Sequence, residues 1–214
     1  MRILHFKNII YLILVFVFSV AKAGANEDLL LAAVHDNPAA IGRLLSQGAD
    51  LHSRDARGYT ALHLALRDGA FRAAEKLLEQ TQVQIDAISI SGETPLMMAA
   101  LKGHVVWMQR LLDRGARLDL PGWTPLHYAV TGPSTEAAAL LLARGAQLNA
   151  RSPNGSTPLM MASRYGPESS VDLLLDKGAD LKLRNEKNLD AADFARLGGR
   201  ESLTRRLTEA SARR

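Results

Sequence analysis

Cysteine is absent from the 214-residue sequence, and aromatic residues make up only 5% of it. Without a thiol, the chain forms no disulfide, has no cysteine nucleophile and offers no sulfur for lipid attachment. Few aromatic side chains leave a core of Ala and Leu, and such small aliphatic residues suit helices that pack at short distance. Hydrophobic residues still make up 47% of the sequence, which is enough for one continuous core.

Motifs of common catalytic sites are also missing. The sequence has no Gly-x-Ser-x-Gly nucleophile elbow and no glycine-rich phosphate loop ending in Lys-Ser or Lys-Thr. His35 and His52 stand alone, without the spacing of metal ligands. We therefore predict that the protein is not an enzyme, and we expect no catalytic residue, no metal and no cofactor.

The N-terminus has the three parts of a secretory signal peptide. A basic start precedes an apolar run over residues 9–18, and Ala21 and Ala23 then supply the small residues of a cleavage site. We predict a signal peptide over residues 1–23, with cleavage before Gly24.

The predicted location is the bacterial periplasm. The apolar segment of 12 residues, from Ile9 to Val20, is shorter than the roughly 20 residues that cross a bilayer. A chain without cysteine fits the periplasm better than a secreted eukaryotic domain, which would more often carry disulfides. Cleavage before Asn26, an uncleaved anchor, and full secretion into the medium are the alternatives.

The formal net charge of +4 belongs to the two ends of the chain. The predicted signal peptide contains three of the 26 basic residues and no acidic residue, so 23 basic and 22 acidic residues remain. Residues 196–214 hold six Arg and two Glu. This basic tail predicts either contact with anionic lipid or nucleic acid, or simply a solvated terminal helix.

A short pattern beginning with Thr recurs at spacings of 34, 30 and 33 residues. Threonine is a good N-cap and proline suits the first helical position, so each copy predicts the start of a helix. A leucine follows each threonine by 17 residues. The four copies begin at Thr60, Thr94, Thr124 and Thr157, and the leucines are Leu77, Leu111, Leu141 and Leu174.

With Thr-Pro-Leu-His-x-Ala followed by Leu-Leu-x-x-Gly, these units resemble the ankyrin repeat family. The resemblance covers about residues 26–210 and implies an all-α repeat solenoid of about six helix–turn–helix repeats with hairpin loops and a concave face. The loop at Leu118–Gly122 is three residues short, which predicts a notch in that face. The repeat domain is expected over 24–214, with repeats at about 27–59, 60–93, 94–123, 124–156, 157–189 and 190–214, the last as a C-terminal cap.

The resemblance also implies structural roles for the histidines of the repeats. His63 and His127 occupy the position that Met97 and Met160 occupy in the other copies, so no shared reaction requires them. His104 lies at the family's Gly-His position. We expect Trp107, Phe71, Tyr128 and Phe194 to pack in the core.

Family members differ at the hairpin tips, just before the capping threonine, and at the end of the first helix. Tyr, Trp and Arg, which dominate binding hot spots, are frequent there in this sequence. The predicted partner-binding residues are Arg54, Arg57, Tyr59, Arg67, Asp68, Glu93, Leu101, Lys102, Trp123, Arg151, Asn154, Arg164, Tyr165 and Arg184. Ile90 and Lys187 lie at equivalent tips.

The sequence therefore predicts a monomeric protein-binding module that inhibits, activates or protects against an envelope protein with an acidic patch, such as an envelope enzyme. Binding of a polyanion, which salt would weaken steeply, and secretion towards a host cell are the alternatives. The nearly neutral mature charge disfavours nucleic acid as a partner.

We expect the exported protein to begin at Gly24, because Ala21 and Ala23 precede that bond. Fractionation of a producing bacterium, followed by intact-mass measurement, checks both the location and the cleavage site. A periplasmic protein that still carries residues 1–23 would contradict the prediction.

Overall fold

A computed structural model describes residues 22–213 of the chain. The predicted signal peptide therefore lies outside the described residues except for Lys22 and Ala23. Within 22–213 the chain forms helices and turns without a strand, which confirms the predicted all-α repeat fold. None of these helices is long and apolar enough to cross a membrane.

The helices follow one another in pairs. The first described one, α1, covers residues 22–34. The others are α2 (Pro38–Ser46), α3 (Ala61–Asp68), α4 (Phe71–Leu78), α5 (Pro95–Lys102), α6 (Val105–Asp113), α7 (Pro125–Ala129), α8 (Thr135–Ala143), α9 (Pro158–Tyr165), α10 (Glu168–Asp176), α11 (Ala191–Leu197) and α12 (Glu201–Arg213).

The described residues divide into two compact units, 22–84 and 85–213. In the first unit, α4 packs on both α2 and α3. In the second, the first helices of successive pairs, α5, α7, α9 and α11, pack in a row, and α6, α8 and α10 form a second row. Leucines of both rows fill the space between them and are fully buried, among them Leu96, Leu111, Leu126, Leu141 and Leu174. The second unit is thus a short solenoid.

Threonine is the N-cap of α3, α5, α7 and α9, the first helices of the four central pairs, whereas Asp190 caps α11. Thr94 Oγ1 accepts a hydrogen bond from Met97 N at 3.3 Å, and Thr157 Oγ1 accepts one from Met160 N at 3.4 Å. Proline follows both threonines and needs no amide partner in the first turn. These caps fix the point at which each first helix leaves its loop.

The loops between pairs repeat one hydrogen-bonding pattern at their tips. Asp55 N donates to Tyr59 O at 3.0 Å, Ser89 N to Glu93 O at 2.9 Å, and Ser152 N to Ser156 O at 2.9 Å. The connection between α6 and α7, residues 114–124, is shorter than the connection between α8 and α9, residues 144–157.

Glycine allows successive first helices of the second unit to approach closely. A Cβ atom at Gly166 would lie 2.0 Å from the carbonyl oxygen of Val130, and one at Gly132 would lie 2.5 Å from that of Leu101. A Cβ at Gly198 would lie 2.8 Å from Arg164 O. Gly166 has an extended backbone (φ −90°, ψ 168°) that any residue can adopt, so the lack of space is what requires glycine there.

We expect Gly166→Ala to lower the free energy of unfolding by about 3 kcal/mol, because the added methyl group must displace backbone atoms of the neighbouring repeat. Gly178→Asn is the matched control. Gly178 needs glycine only for its positive φ of 88° and has nothing within 4 Å of its Cβ position. Asparagine tolerates that conformation, so the control should lose less than about 1 kcal/mol. Chemical denaturation measures both, and equal losses would contradict the role assigned to Gly166.

Candidate protein-binding surface

An open pocket of about 200 Å³ lies on the first helices of the second unit. Its walls come from three successive helix pairs: α5 contributes one residue, α7 and its flanks contribute four, and α9 contributes one. The lining residues are Leu101, Trp123, His127, Tyr128, Thr131 and Met161. We call this the α5–α7–α9 pocket. It brings together two predicted partner-binding residues, Leu101 and Trp123.

Trp123 lies at the end of the shortened connection between α6 and α7, next to the cap of α7. It directly precedes the N-cap Thr124, and its indole meets the His127 ring edge-on at 5.3 Å with an interplanar angle of 84°. The Trp123 side chain is half-buried. One part of the indole is therefore held by the fold while another part remains available to a partner.

His127 forms the buried side of the pocket and is fixed by hydrogen bonds at both ring nitrogens. Nδ1 accepts from Thr124 N at 3.2 Å and lies 2.9 Å from Thr124 Oγ1. Nε2 lies 3.0 Å from Ser156 O, and because a carbonyl can only accept, Nε2 carries the proton. Burial lowers the pKa of His127 to about 4, despite a smaller opposing effect of the Ser156 carbonyl. The ring is therefore neutral and structural near pH 7.

Tyr128 joins the pocket to the preceding hairpin loop. Its hydroxyl donates to Glu93 Oε1 at 3.2 Å, and Ser89 Oγ donates to Glu93 Oε2 at 3.1 Å. Tyr128, a predicted core residue, is only half-buried, because its ring faces the pocket. Phe71 is likewise half-buried, whereas Trp107 and Phe194 are buried as predicted.

Two cationic side chains lie close in sequence to the pocket residues. Lys102 is exposed and follows Leu101 at the end of α5, and Arg164 is half-buried one turn after Met161 on α9. The guanidinium of Arg164 stacks over the ring of Tyr165 at 5.0 Å, and Tyr165 is 56% exposed. Neither cation forms an ion pair within residues 22–213.

Several other predicted binding arginines stabilise their own loops. Arg54 Nη1 donates to Gly58 O at 2.8 Å, Arg151 Nη1 to Arg184 O at 3.0 Å, and Arg184 Nη1 to Asn188 O at 2.7 Å. Arg184 also pairs with Asp190 at 2.9 Å. The prediction of these guanidinium groups as partner contacts overlooks their internal acceptors, which in all three loops include a carbonyl four residues further along the chain, that of Gly58, Gly155 or Asn188.

Four other predicted positions also have internal roles. Tyr59 is only 7% exposed and packs against His63 at 5.4 Å, which corrects its prediction as a surface contact. Arg67 forms a two-pronged ion pair with Asp68 at 2.6 and 2.7 Å. Asn154 Oδ1 accepts from Ser156 N at 3.1 Å. Arg57 remains an exposed loop residue.

The loop that precedes α5 differs from these arginine loops. Ile88 occupies the place that Arg54, Arg151 and Arg184 take elsewhere, and it is 46% exposed. Ile90 at the tip is 79% exposed. This apolar tip belongs to the same loop that Tyr128 reaches through Glu93. Apolar surface therefore occurs both at the pocket and on the loop beside it.

Arginines at the C-terminal end of the chain form hydrogen bonds and an ion pair with the preceding repeat. Arg200 Nη1 donates to the carbonyl oxygens of Ala162, Ser163 and Gly166 at 2.8–3.0 Å and thereby satisfies the end of α9. Arg206 pairs with Asp172 at 2.8 Å. These contacts favour the interpretation of the tail as a structural cap over contact with an anionic polymer.

The sequence resembles ankyrin repeats over most of its length. A family model described as ankyrin repeats (3 copies) matches residues 29–121 and 108–185. The mouse B-cell lymphoma 3 protein homolog is 33% identical over 165 residues, which cover 74% of this chain and 37% of that protein. Human neurogenic locus notch homolog protein 4 is 38% identical over 151 residues, covering 63% of this chain and 8% of the relative. The chain thus spans only a minor part of these relatives.

One solved structure matches over almost its entire chain. It is the complex of a predatory endopeptidase from Bdellovibrio bacteriovorus with an immunity protein, and the immunity protein is similar to this chain. The match has a TM-score of 0.72 and 28% identity, and it covers 85% of this chain and 97% of the other.

We expect the stability of the protein to fall as the pH decreases from about 6.5 to about 4. In this window the unfolded His127 binds a proton, because histidine ordinarily has a pKa of 6.5, while the folded one does not until about pH 4. Protonation of His127 therefore stabilises the unfolded state relative to the folded state by up to about 3 kcal/mol. Met97 and Met160 occupy the position equivalent to His127 in two other repeats, so the fold accepts methionine there. His127→Met should therefore make the stability depend less on pH between about 6.5 and about 4.

Urea unfolding at several pH values measures this dependence, with the exposed His35→Met as the control for loss of a histidine. The control should keep the wild-type slope. A His127→Met variant with an unchanged slope would show that other groups cause the acid sensitivity.

Proposed function

We propose that this chain, which belongs to the ankyrin repeat family, is a non-catalytic periplasmic module that binds an envelope peptidase and inhibits it, protecting the cell that makes it. The observation that carries this proposal is the similarity to an immunity protein in complex with an endopeptidase, which extends over 97% of that protein. The alignments cover only 37% and 8% of the two larger relatives, and the ankyrin repeats of this chain support protein binding in general.

The proposed location comes from the sequence. The predicted signal peptide over residues 1–23 directs export, and a chain without cysteine does not depend on the redox state of its compartment. An inhibitor in the periplasm would meet peptidases of the envelope before they damage the cell wall. A fully secreted inhibitor would lose this protective role.

The binding surface is proposed on the first helices of the second unit. Trp123 and Tyr165 are aromatic side chains with exposed surface there, and each offers a large contact area with few rotors to immobilise. The hydrogen bonds of His127 and the caps of α7 and α9 hold the helices beneath these residues. A partner therefore meets a preorganised surface, and ordering it costs little entropy.

The charges on this surface favour an acidic patch on the partner. Lys102 and Arg164 bring two positive charges whose fields are not cancelled by an ion pair within the described chain. Arg54, Arg151 and Arg184 contribute less, because loop carbonyls already occupy their donors. The complementarity should mainly set the association rate and its salt dependence.

We expect the immobilised protein to retain an envelope peptidase from a periplasmic extract, and the purified peptidase to lose activity when one equivalent of the protein is added. Replacing both Trp123 and Tyr165 by Ala should weaken the affinity by about 100-fold or more, as loss of two hot-spot aromatics does. Calorimetry and a peptide-hydrolysis assay measure the two effects.

Val106→Ala is the control, because Val106 is 70% exposed but lies on α6, in the other row of helices. This variant should bind and inhibit as the wild type does. The proposal is wrong if no peptidase is retained, or if a retained peptidase keeps its activity at saturation.

A further inference from the structure

The α5–α7–α9 pocket is smaller than a typical small-molecule site. Its volume of about 200 Å³ lies below the roughly 300 Å³ at which ligand pockets begin. It is open to solvent on one side, since Leu101, Trp123 and Met161 are half-buried. A cavity of this size on an exposed surface suits a single side chain that enters from a partner.

The polar groups of the pocket are already satisfied within the protein. Both ring nitrogens of His127 have partners, the Tyr128 hydroxyl donates to Glu93, and Thr131 Oγ1 donates to Tyr128 O at 2.8 Å. The remaining lining comes from Leu, Met and Trp side chains. A polar occupant would lose its water without gaining these groups as partners, so the pocket selects an apolar side chain.

The charge around the pocket is asymmetric. Glu93 lies on the loop side and is held by Tyr128 and Ser89. Lys102 directly follows the pocket residue Leu101 in the last turn of α5, Arg164 follows Met161 in the last turn of α9, and no acidic residue of the described chain pairs with either cation. A carboxylate next to the inserted apolar side chain would be attracted towards these helix ends.

We infer that the α5–α7–α9 pocket receives one Leu-, Ile-, Met- or Phe-sized side chain from an exposed segment of the partner protein, with an Asp or Glu directly beside it. The apolar side chain contacts Leu101, Trp123 and Met161, and the carboxylate pairs with Lys102 or Arg164. This inference rests on the proposed protein-binding function and specifies what the pocket recognises in the partner.

A library of random 12-residue peptides displayed on phage tests the inference with the purified protein. Wild-type protein should enrich peptides with an apolar residue next to Asp or Glu. The double variant Lys102→Glu and Arg164→Glu should instead enrich peptides with the same apolar residue next to Lys or Arg. Lys182→Glu, a charge reversal at an exposed loop residue, should keep the wild-type preference.

Substitutions inside the pocket test the apolar contact separately. Leu101→Glu places a carboxylate at the pocket mouth, and Thr131→Leu fills the pocket without adding charge. Each should weaken binding of a synthetic enriched peptide by about tenfold or more, measured by fluorescence anisotropy. Val106→Glu, the same kind of substitution on the other row of helices, should bind the peptide as the wild type does. Thermal unfolding verifies that each variant is folded.

The inference is overturned if no such peptides are enriched, if the charge reversal leaves the preference for acidic neighbours unchanged, or if both folded pocket variants bind like the wild type. These results are distinct from failure of the proposed function. A peptidase that is inhibited equally by the wild type, Leu101→Glu and Thr131→Leu would overturn the pocket inference alone. Peptide binding without any inhibited peptidase would support the pocket and overturn the proposed inhibition.

Discussion

The close approach of successive first helices is the constraint on which the second unit depends. At Gly132, Gly166 and Gly198 the backbone of the preceding repeat occupies the space that a Cβ atom would need. The helices can therefore pack through Ala and Leu, and a chain with few aromatic residues still fills its core. Arg200 completes the arrangement at the C-terminal end by satisfying three carbonyl groups of α9 and its turn.

The packing of successive repeats also fixes the positions of the side chains on the proposed binding surface. Thr124 and His127 hold the start of α7 against the next loop, so the histidine is buried, its pKa is lowered to about 4, and both of its ring nitrogens are engaged in hydrogen bonds. Trp123 packs against this ring and is thereby held at the surface. The proposed binding surface is thus a direct extension of the hydrogen bonds that start the helix.

The repeat fold could be predicted from the sequence because its signals are local and recur. The threonine caps and the leucines that follow them by 17 residues occur in four copies, proline follows the threonine in three of them, and the helices begin where these residues indicate. The pocket was only partly predictable. Leu101 and Trp123 lie at positions that vary within the family, whereas Tyr128, Thr131 and Met161 join them through packing of three repeats that no local pattern reveals.

The arginines were harder to interpret for a different reason. The sequence alone does not distinguish a loop arginine that binds a partner protein from one that donates a hydrogen bond to a carbonyl four residues away. Arg54, Arg151 and Arg184 recur at one place in their loops, and this recurrence was the available sign of a structural role. The prediction of Tyr59 as a surface contact was wrong, because a residue just before a capping threonine can turn towards the helix. Tyr59 does so and packs against His63.

A pocket whose walls come from α5, α7 and α9 belongs to no single repeat. Repeat proteins are usually diversified by exchanging or shuffling individual units, since each unit contacts only its neighbours. Here such an exchange would remove one wall and leave the other two without a shared cavity. The smallest segment that could be transplanted with its specificity intact therefore runs from Thr94 to Tyr165, and duplication or loss of one repeat within it would erase that specificity at once.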